Sequence, residues 1–292
     1  MTNAFNRLHP LTCFFYYAGA IVLLMSFLHP FYLIAAVLLL ISLTLLQGLV
    51  EQLRNRAKSF FFLTLFIVAV NPLVNHRGTH ILFYFRENPV TLEALMNGFL
   101  MALSLLAILI LFISYNFVLT PGRFLYLFSK ILPQTALLAM LTLRFVPLLI
   151  RRLDEIKIVQ KSKGMTITEG RVKDRAKNGV SLVQILLTWS LEEALQTADS
   201  MKSRGYGVTK RSSYERYTFT KNDIISIVLL LVLFAGCLIG LFNGYGNLTL
   251  YPDLESTSMG GAEWSVFVLF LLYIGFPLLV EGREQFRWRY LN

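Results

Sequence analysis

Apolar positions along this chain gather into blocks about as long as a bilayer is thick, separated by short polar stretches and one long basic one. Blocks that read as spanning helices run from Cys13 to Leu28, Phe31 to Val50, Ser59 to Val74, Gly98 to Val118, Ile224 to Phe242 and Val266 to Val280. The shorter ones extend into their flanks, so about six crossings are expected. The first block is expected to stay in the membrane. Arg7 is the fixed charge ahead of it, and a second apolar block follows directly after His29-Pro30, unlike a cleaved signal peptide.

Basic residues orient these blocks. Arg54, Arg56 and Lys58 separate the second from the third, and Arg283, Arg287 and Arg289 follow the last, which assigns those ends to the cytoplasm. The segment from Asn243 to Glu263 has no Lys or Arg and carries Asp253, Glu255 and Glu263, so it is expected outside. Asn75 to Asn88 falls outside in the same scheme despite Arg77 and Arg86, and both termini are then cytoplasmic. The expected division is an N-terminal membrane domain of about four spans over residues 1–118, a cytoplasmic and interfacial domain over 119–222, and a C-terminal membrane hairpin with a cytoplasmic tail over 223–292.

The middle region holds more than half of the Lys and Arg residues. Pro121 suits a first helical turn, and Phe124, Leu125, Phe128, Ile131 and Leu132 form an apolar stripe interrupted by Arg123 and Lys130, the pattern of a helix lying on a membrane surface. Gln134 to Ile150 is apolar but broken by Arg144 and Pro147, which suits packing beneath other helices. It leads through Arg151 and Arg152 to the run Lys161-Ser162-Lys163-Gly164-Met165. The polar stretch from Thr166 to Asn178 is expected to link two long helices, and Val180 to Trp189 restores an apolar face.

Ser190 and Glu193 have the spacing of a capping box, so a helix should begin or be reinforced there. Leu191, Ala194, Leu195, Ala198 and Met201 then recur at three- and four-residue steps, leaving Glu192, Gln196 and Asp199 largely off that stripe. Such a face needs a partner. Gly205 can take the left-handed conformation that commonly ends a helix, which leaves Arg204 in the last turn beside the free carbonyls and the negative end of the dipole. Lys202-Ser203-Arg204-Gly205-Tyr206 parallels the earlier run from Lys161 to Met165 position by position. The chain thus carries two basic-Gly tips, at 162–164 and 203–205.

The stretch Ala198-Asp199-Ser200-Met201-Lys202-Ser203-Arg204-Gly205-Tyr206 resembles the second Ala-Arg-Gly signature of energy-coupling-factor (ECF) transporter T components, the CbiQ-like transmembrane proteins. The likeness extends to Leu8-His9-Pro10-Leu11-Thr12, Asn71-Pro72-Leu73 and Asn75-His76-Arg77-Gly78, and covers most of the chain up to about Gly207. It implies a scaffold that joins two cytoplasmic ATPases to a membrane S component that binds a vitamin or metal ion, with the tips of two coupling helices seated in grooves on the ATPases. Carried onto this chain, the ATPase-contacting residues are Ser162, Lys163, Gly164, Ala198, Asp199, Met201, Ser203, Arg204 and Gly205. The family usually has arginine at the first tip, where this chain has Lys163. Lysine lacks the planar fork that grips a carboxylate, so the resemblance implies a weaker or differently shaped first contact.

Composition narrows the alternatives. A mean hydropathy of +0.60 with 55% hydrophobic residues over 292 positions marks an integral membrane protein; its helical blocks make the expected fold all-α, and the resemblance implies that its long cytoplasmic helices are coupling helices. A net charge of +10 is accounted for by positive-inside bias and anionic lipid, without nucleic acid. Cys13 and Cys237 lie in separate apolar blocks and give neither a disulfide framework nor a metal spacing. His76 and His80 have i, i+4 spacing but Gly78 between them and no carboxylate or cysteine close by, so a polar loop is expected there and no metal site. The spans lack paired ionisable residues, and no HExxH, phosphate loop or nucleophile elbow occurs. No catalytic or cofactor-binding residues are therefore assigned; on the resemblance, ATP and Mg belong to the partner ATPases. A conventional ABC permease is the alternative, but Glu193-Ala194-Leu195 is not followed by the spacing of its docking loop. A membrane-embedded enzyme is a further alternative, without the catalytic pairs it would need.

Overall fold

The computed structural model describes residues 5–75, 78–85, 88–129, 131–164, 171–208, 217–246, 248 and 260–291. Helices α1 (Pro10–Ser26), α2 (Pro30–Leu46) and α3 (Val50–Val74) are followed by a hairpin of β1 (Ile81–Phe85) and β2 (Asn88–Thr91). Then come α4 (Leu92–Val118), α5 (Pro121–Ser129), α6 (Pro133–Ser162), α7 (Val172–Ser203), α8 (Lys221–Phe242), α9 (Gly261–Ile274) and α10 (Phe276–Leu291). Local chemistry sets many of these ends. Proline opens α1, α2 and α6, where its missing N–H costs nothing. The Thr91 hydroxyl caps α4, and Thr220 and Asp223 cap each other's backbone at the start of α8. Gly48, at φ +74°, turns the end of α2 with Leu49 N–H reaching back to the Thr44 carbonyl at 3.0 Å.

The chain divides into two compact units, one of residues 1–123 with 217–292 and one of 124–216. In the first, α1 packs against α4, α8 and α9, while α4 also lines α2 and α3. Its core is aromatic: Tyr16, Tyr17, Tyr32, Tyr273, Phe5, Phe27 and Phe270 are all fully buried. Each tyrosine hydroxyl in a membrane interior needs a partner. Tyr16 donates to the Ile274 carbonyl at 2.8 Å, Tyr17 pairs with Ser114 at 2.7 Å, and Tyr32 donates to the Glu263 carbonyl at 3.1 Å. Tyr273 reaches the Phe15 carbonyl at 3.1 Å because Gly19 leaves room; a Cβ there would stand 2.0 Å from its Oη. Between α1 and α2, burial holds the His29 imidazole below its ordinary pKa.

Every predicted apolar block lies on a helix, and the protein is an all-α multi-pass membrane protein apart from its short hairpin. Helices α3, α4 and α8 are each long and apolar enough to cross alone, whereas α9 and the start of α10, to Arg283, reach that length and composition only together, across a bend of 56°. The bend at Gly275 divides the block predicted as continuous from Val266 to Val280. Helices α1 and α2 have 17 residues each, about 25 Å of helix against a hydrocarbon core of about 30 Å. The stretch from Asn75 to Asn88, read from sequence as a loop, contains the first strand of the antiparallel hairpin, with Tyr84 opposite Pro89. A buried carboxylate organises its approach. Glu93 Oε1 accepts from the Thr79 and His80 N–H groups at 3.3 and 3.0 Å, and a Cβ on Gly78 would meet Glu93 Oε2 at 2.4 Å. His76 and Arg77 lie outside the described residues.

Candidate partner-docking site

In the second unit α6 and α7 run 30 and 32 residues. They face each other through positions such as Phe145, Leu149, Leu153 and Ile156 on α6 and Leu182, Leu186, Trp189 and Glu193 on α7, which are less exposed than their neighbours. The Arg152 guanidinium sits 4.8 Å from the Trp189 ring centroid, a cation–π contact between the two helices. Arg152 also pairs with Glu155 at 2.6 Å, and Lys157 with Asp154 at 2.9 Å. The opposite face of α7 is uncovered: Leu191 is 66% exposed and Leu195 69%, and Ala194 and Ala198 are exposed beside them. The stripe expected to need a partner finds none within the described chain.

Ser190 and Glu193 do not start a helix. Helix α7 passes through Ser190 without a break, and the Ser190 hydroxyl donates back to the Leu187 carbonyl at 2.9 Å. A serine inside a helix finds its own upstream carbonyl as readily as a free N–H at a cap, and the N–H groups of this turn are already taken by the preceding turn.

Both helices end on a basic cap residue followed by a left-handed glycine. Lys163 is the last cap residue of α6 and Arg204 that of α7, followed by Gly164 at φ +79° and Gly205 at φ +80°. In α6, Gly164 N–H bonds the Lys161 carbonyl at 3.0 Å; Met165 lies outside the described residues. In α7, Gly205 N–H bonds the Lys202 carbonyl and Tyr206 N–H the Met201 carbonyl, both at 3.0 Å. That pair of bonds is a Schellman ending, and only the left-handed glycine lets the chain reverse to make it. Ser162 and Ser203 turn their hydroxyls back onto the Ile158 and Ser200 carbonyls at 3.2 and 2.9 Å. The cation beside each serine is thus the outward group. Lys163 and Arg204 are exposed and have no ion-pair partner among the described residues. Ala198 and Asp199 are exposed and Met201 half-buried within the last turns before this end.

Each end thus presents an exposed cation on a fixed helix terminus, and on α7 an uncovered aliphatic stripe lies beside it. The comparisons agree with the resemblance. A family model described as CbiQ, cobalt transport protein, matches residues 2–214. The chain belongs to that family. Among relatives, the transmembrane protein EcfT 1 of the energy-coupling factor transporter of Listeria monocytogenes is 26% identical over 238 residues, 77% of this chain and 88% of that protein. EcfT of Acidaminococcus fermentans is 30% identical over 184 residues, 58% of this chain and 69% of its own length. EcfT of Bacillus subtilis is 36% identical over 103 residues, 35% of this chain and 39% of its own length. As a CbiQ family member this chain is the transmembrane component of an ECF transporter. The family match stops before α8, so the pairing of α8 with α1 and α9 lies beyond it.

Sequence reasoning missed Glu93 and Asp223. Thr220-x-x-Asp223 directly before the apolar run from Ile224 was a legible capping box; for Glu93, only the folded loop reveals what the carboxylate accepts.

Proposed function

We propose that this chain is the non-catalytic scaffold of an ECF importer in the cell membrane, coupling ATP hydrolysis by two cytoplasmic ATPases to uptake of a vitamin or metal ion bound by a separate S component. ATP and Mg are bound by the ATPases. The observation that carries this reading is the pair of helix ends that each offer an exposed cation ahead of a left-handed glycine. Ser162, Lys163 and Gly164 engage one ATPase, and Ala198, Asp199, Met201, Ser203, Arg204 and Gly205 the other. The exposed stripe of α7 supports the same reading, since an amphipathic helix left uncovered is stabilised only by a further surface.

Both termini face the cytoplasm. Contacts inside the first unit support that alternation. The starts of α1 and α8, both assigned to the cytoplasm, meet where His9 N–H donates to Asp223. The starts of α2 and α9, both assigned outside, meet where Tyr32 donates to Glu263. The test is purification from the native membrane with identification of the subunits that accompany the chain. Two ATPase polypeptides or copies and one small membrane protein are expected, and the complex should support uptake of cobalt(II) or of one member of a panel of water-soluble vitamins. A chain that purifies alone and supports neither would end the reading.

A further inference from the structure

The chain leaves the first unit after Arg123 and returns to it at Tyr217. Both attachment points are held by one short segment, Asn6 to His9. On the outgoing side Arg123 Nη1 donates to the Asn6 side-chain carbonyl and, at 3.1 Å, to the Val118 carbonyl. On the returning side His9 N–H donates to Asp223 at 2.8 Å, and the same carboxylate takes the Thr220 N–H at 2.9 Å and hydroxyl at 2.6 Å. The His9 ring stacks on Phe219 with centroids 3.8 Å apart, and meets Tyr217 edge-on at 6.1 Å. Asn6 and His9 are separated by three residue steps, at most about 11 Å of chain, so the two attachment points are held close together.

The segment that does this is itself fixed. Phe5 is fully buried and meets Tyr16, Tyr17 and Phe276 edge-on at 5.5, 6.1 and 6.3 Å, and His9 caps α1 through Nδ1. The acceptors and donors are helix-end groups: the Val118 carbonyl closes α4, and Thr220 and Asp223 open α8. Such groups lack intrahelical partners and fray first under load. Bonds to a guanidinium and a carboxylate are the stronger kind.

We propose that Asn6, His9, Arg123 and Asp223 form a clasp that keeps the outgoing and returning strands of the coupling unit together, so that a pull on that unit reaches α4 and α8 as one displacement instead of fraying their ends. The proposal rests on the coupling role above, and its four residues are positioning residues that belong to neither tip. The clasp stays closed through the cycle.

The test uses the purified complex with spin labels at Thr120→Cys and Lys221→Cys, both exposed positions, in a background without Cys13 and Cys237. With the clasp intact, one narrow label distance is expected with and without the ATP analogue β,γ-imido-ATP. Arg123→Ala and Asp223→Ala should broaden it, and each should lower uptake per ATP hydrolysed by at least about tenfold, since each removes more than one charge-assisted bond. Uptake is read with whichever of cobalt(II) or the vitamin panel the unmodified complex takes up. Asn6→Asp, which keeps an acceptor for Arg123, should leave both readouts normal. A merely structural role would lower yield or Tm and leave uptake per ATP unchanged in the folded fraction. Should Asp223→Ala not accumulate, Asn6→Ala removes one acceptor at a half-exposed position, and intermediate broadening is expected. Narrow distances with normal coupling in these variants would overturn the clasp, as would a label distance in the unmodified complex that shifts on nucleotide binding. Loss of ATPase from the unmodified complex bears on the docking reading instead, and leaves the label distances as the measure of the clasp.

Discussion

Replacing Arg204 by alanine should separate docking from folding. The residue is exposed at the end of α7 and has no ion-pair partner among the described residues, so its loss should change stability by no more than about 0.5 kcal/mol. The Schellman ending survives, because its two bonds run through backbone N–H groups of Gly205 and Tyr206. At a partner surface the same side chain is an arginine anchor, whose truncation costs on the order of 2–4 kcal/mol. That range corresponds to about 30- to 1000-fold weaker docking. The assay is ATPase retained per transmembrane chain after mild detergent extraction, with cobalt(II) or vitamin uptake and Tm measured on the same preparation. Lost uptake at unchanged Tm is the expected result. Gly205→Ala is the companion variant: nothing lies within 4 Å of the new Cβ, so its cost is the strain of a left-handed alanine, about 1–2 kcal/mol, and it should disturb the aim of Arg204. Normal uptake and full ATPase retention in Arg204→Ala at equal expression would refute the docking reasoning.

The remaining predictions concern the other tip, the topology and the packing. Lys163→Ala should be milder than Arg204→Ala, Lys163→Arg should be tolerated or raise coupling because a fork replaces a point charge, and the double alanine variant should lose co-purifying ATPase. Single-cysteine labelling from outside, without the buried Cys13 and Cys237, should modify Ser256→Cys and spare Lys177→Cys; the opposite pattern would invert the orientation. Gly19→Ala should lower Tm by forcing Tyr273 off the Phe15 and Tyr16 carbonyls, a loss of about 1–3 kcal/mol, with a shift below 1 °C counting against it. Glu93→Gln keeps the shape but loses a charged acceptor, so amide exchange at Thr79 and His80 should accelerate while the rest of α4 stays protected.

What the sequence made legible was local or periodic. Apolar length set the helices, and a basic residue before glycine set the two left-handed ends, because both depend on neighbours a few residues away. Ser190 and Glu193 misled for the same reason: a cap signal is indifferent to whether the helix has already started, and the seam of Leu182, Leu186 and Trp189 carries α7 straight through it. The hairpin escaped because Ile81 to Phe85 is apolar without alternation, so periodicity could not separate it from its flanks. Asp223 and Glu93 were illegible in role, since each carboxylate accepts bonds from chain 214 or 13–14 positions away.

The distribution of burial distinguishes the two units by how each is stabilised. In the first, tyrosine hydroxyls find carbonyls or a serine hydroxyl across helices, and Ser104 reaches the Leu24 carbonyl at 2.7 Å. Those bonds hold its helices in one arrangement, as a low-dielectric interior demands. The second has Ala136 and Leu182 as its buried side chains among the described residues, while Leu138, Met140, Leu143, Val183, Leu187, Leu191 and Leu195 are exposed along its helices. A helix pair of that composition is stabilised chiefly by what covers it. Its rigidity is then conditional on partners or lipid, while the caps at Gly164 and Gly205 remain fixed by local backbone bonds. The proposed coupling role needs that combination, with ends whose geometry survives on its own and shafts whose order is completed by partners. The measurable consequence is amide exchange: the detergent-purified chain alone should exchange faster over residues 138–195 than over α1, α4 and α8, and addition of the ATPases should slow α6 and α7 with little change in the first unit. Equal protection of both units in the isolated chain would contradict it.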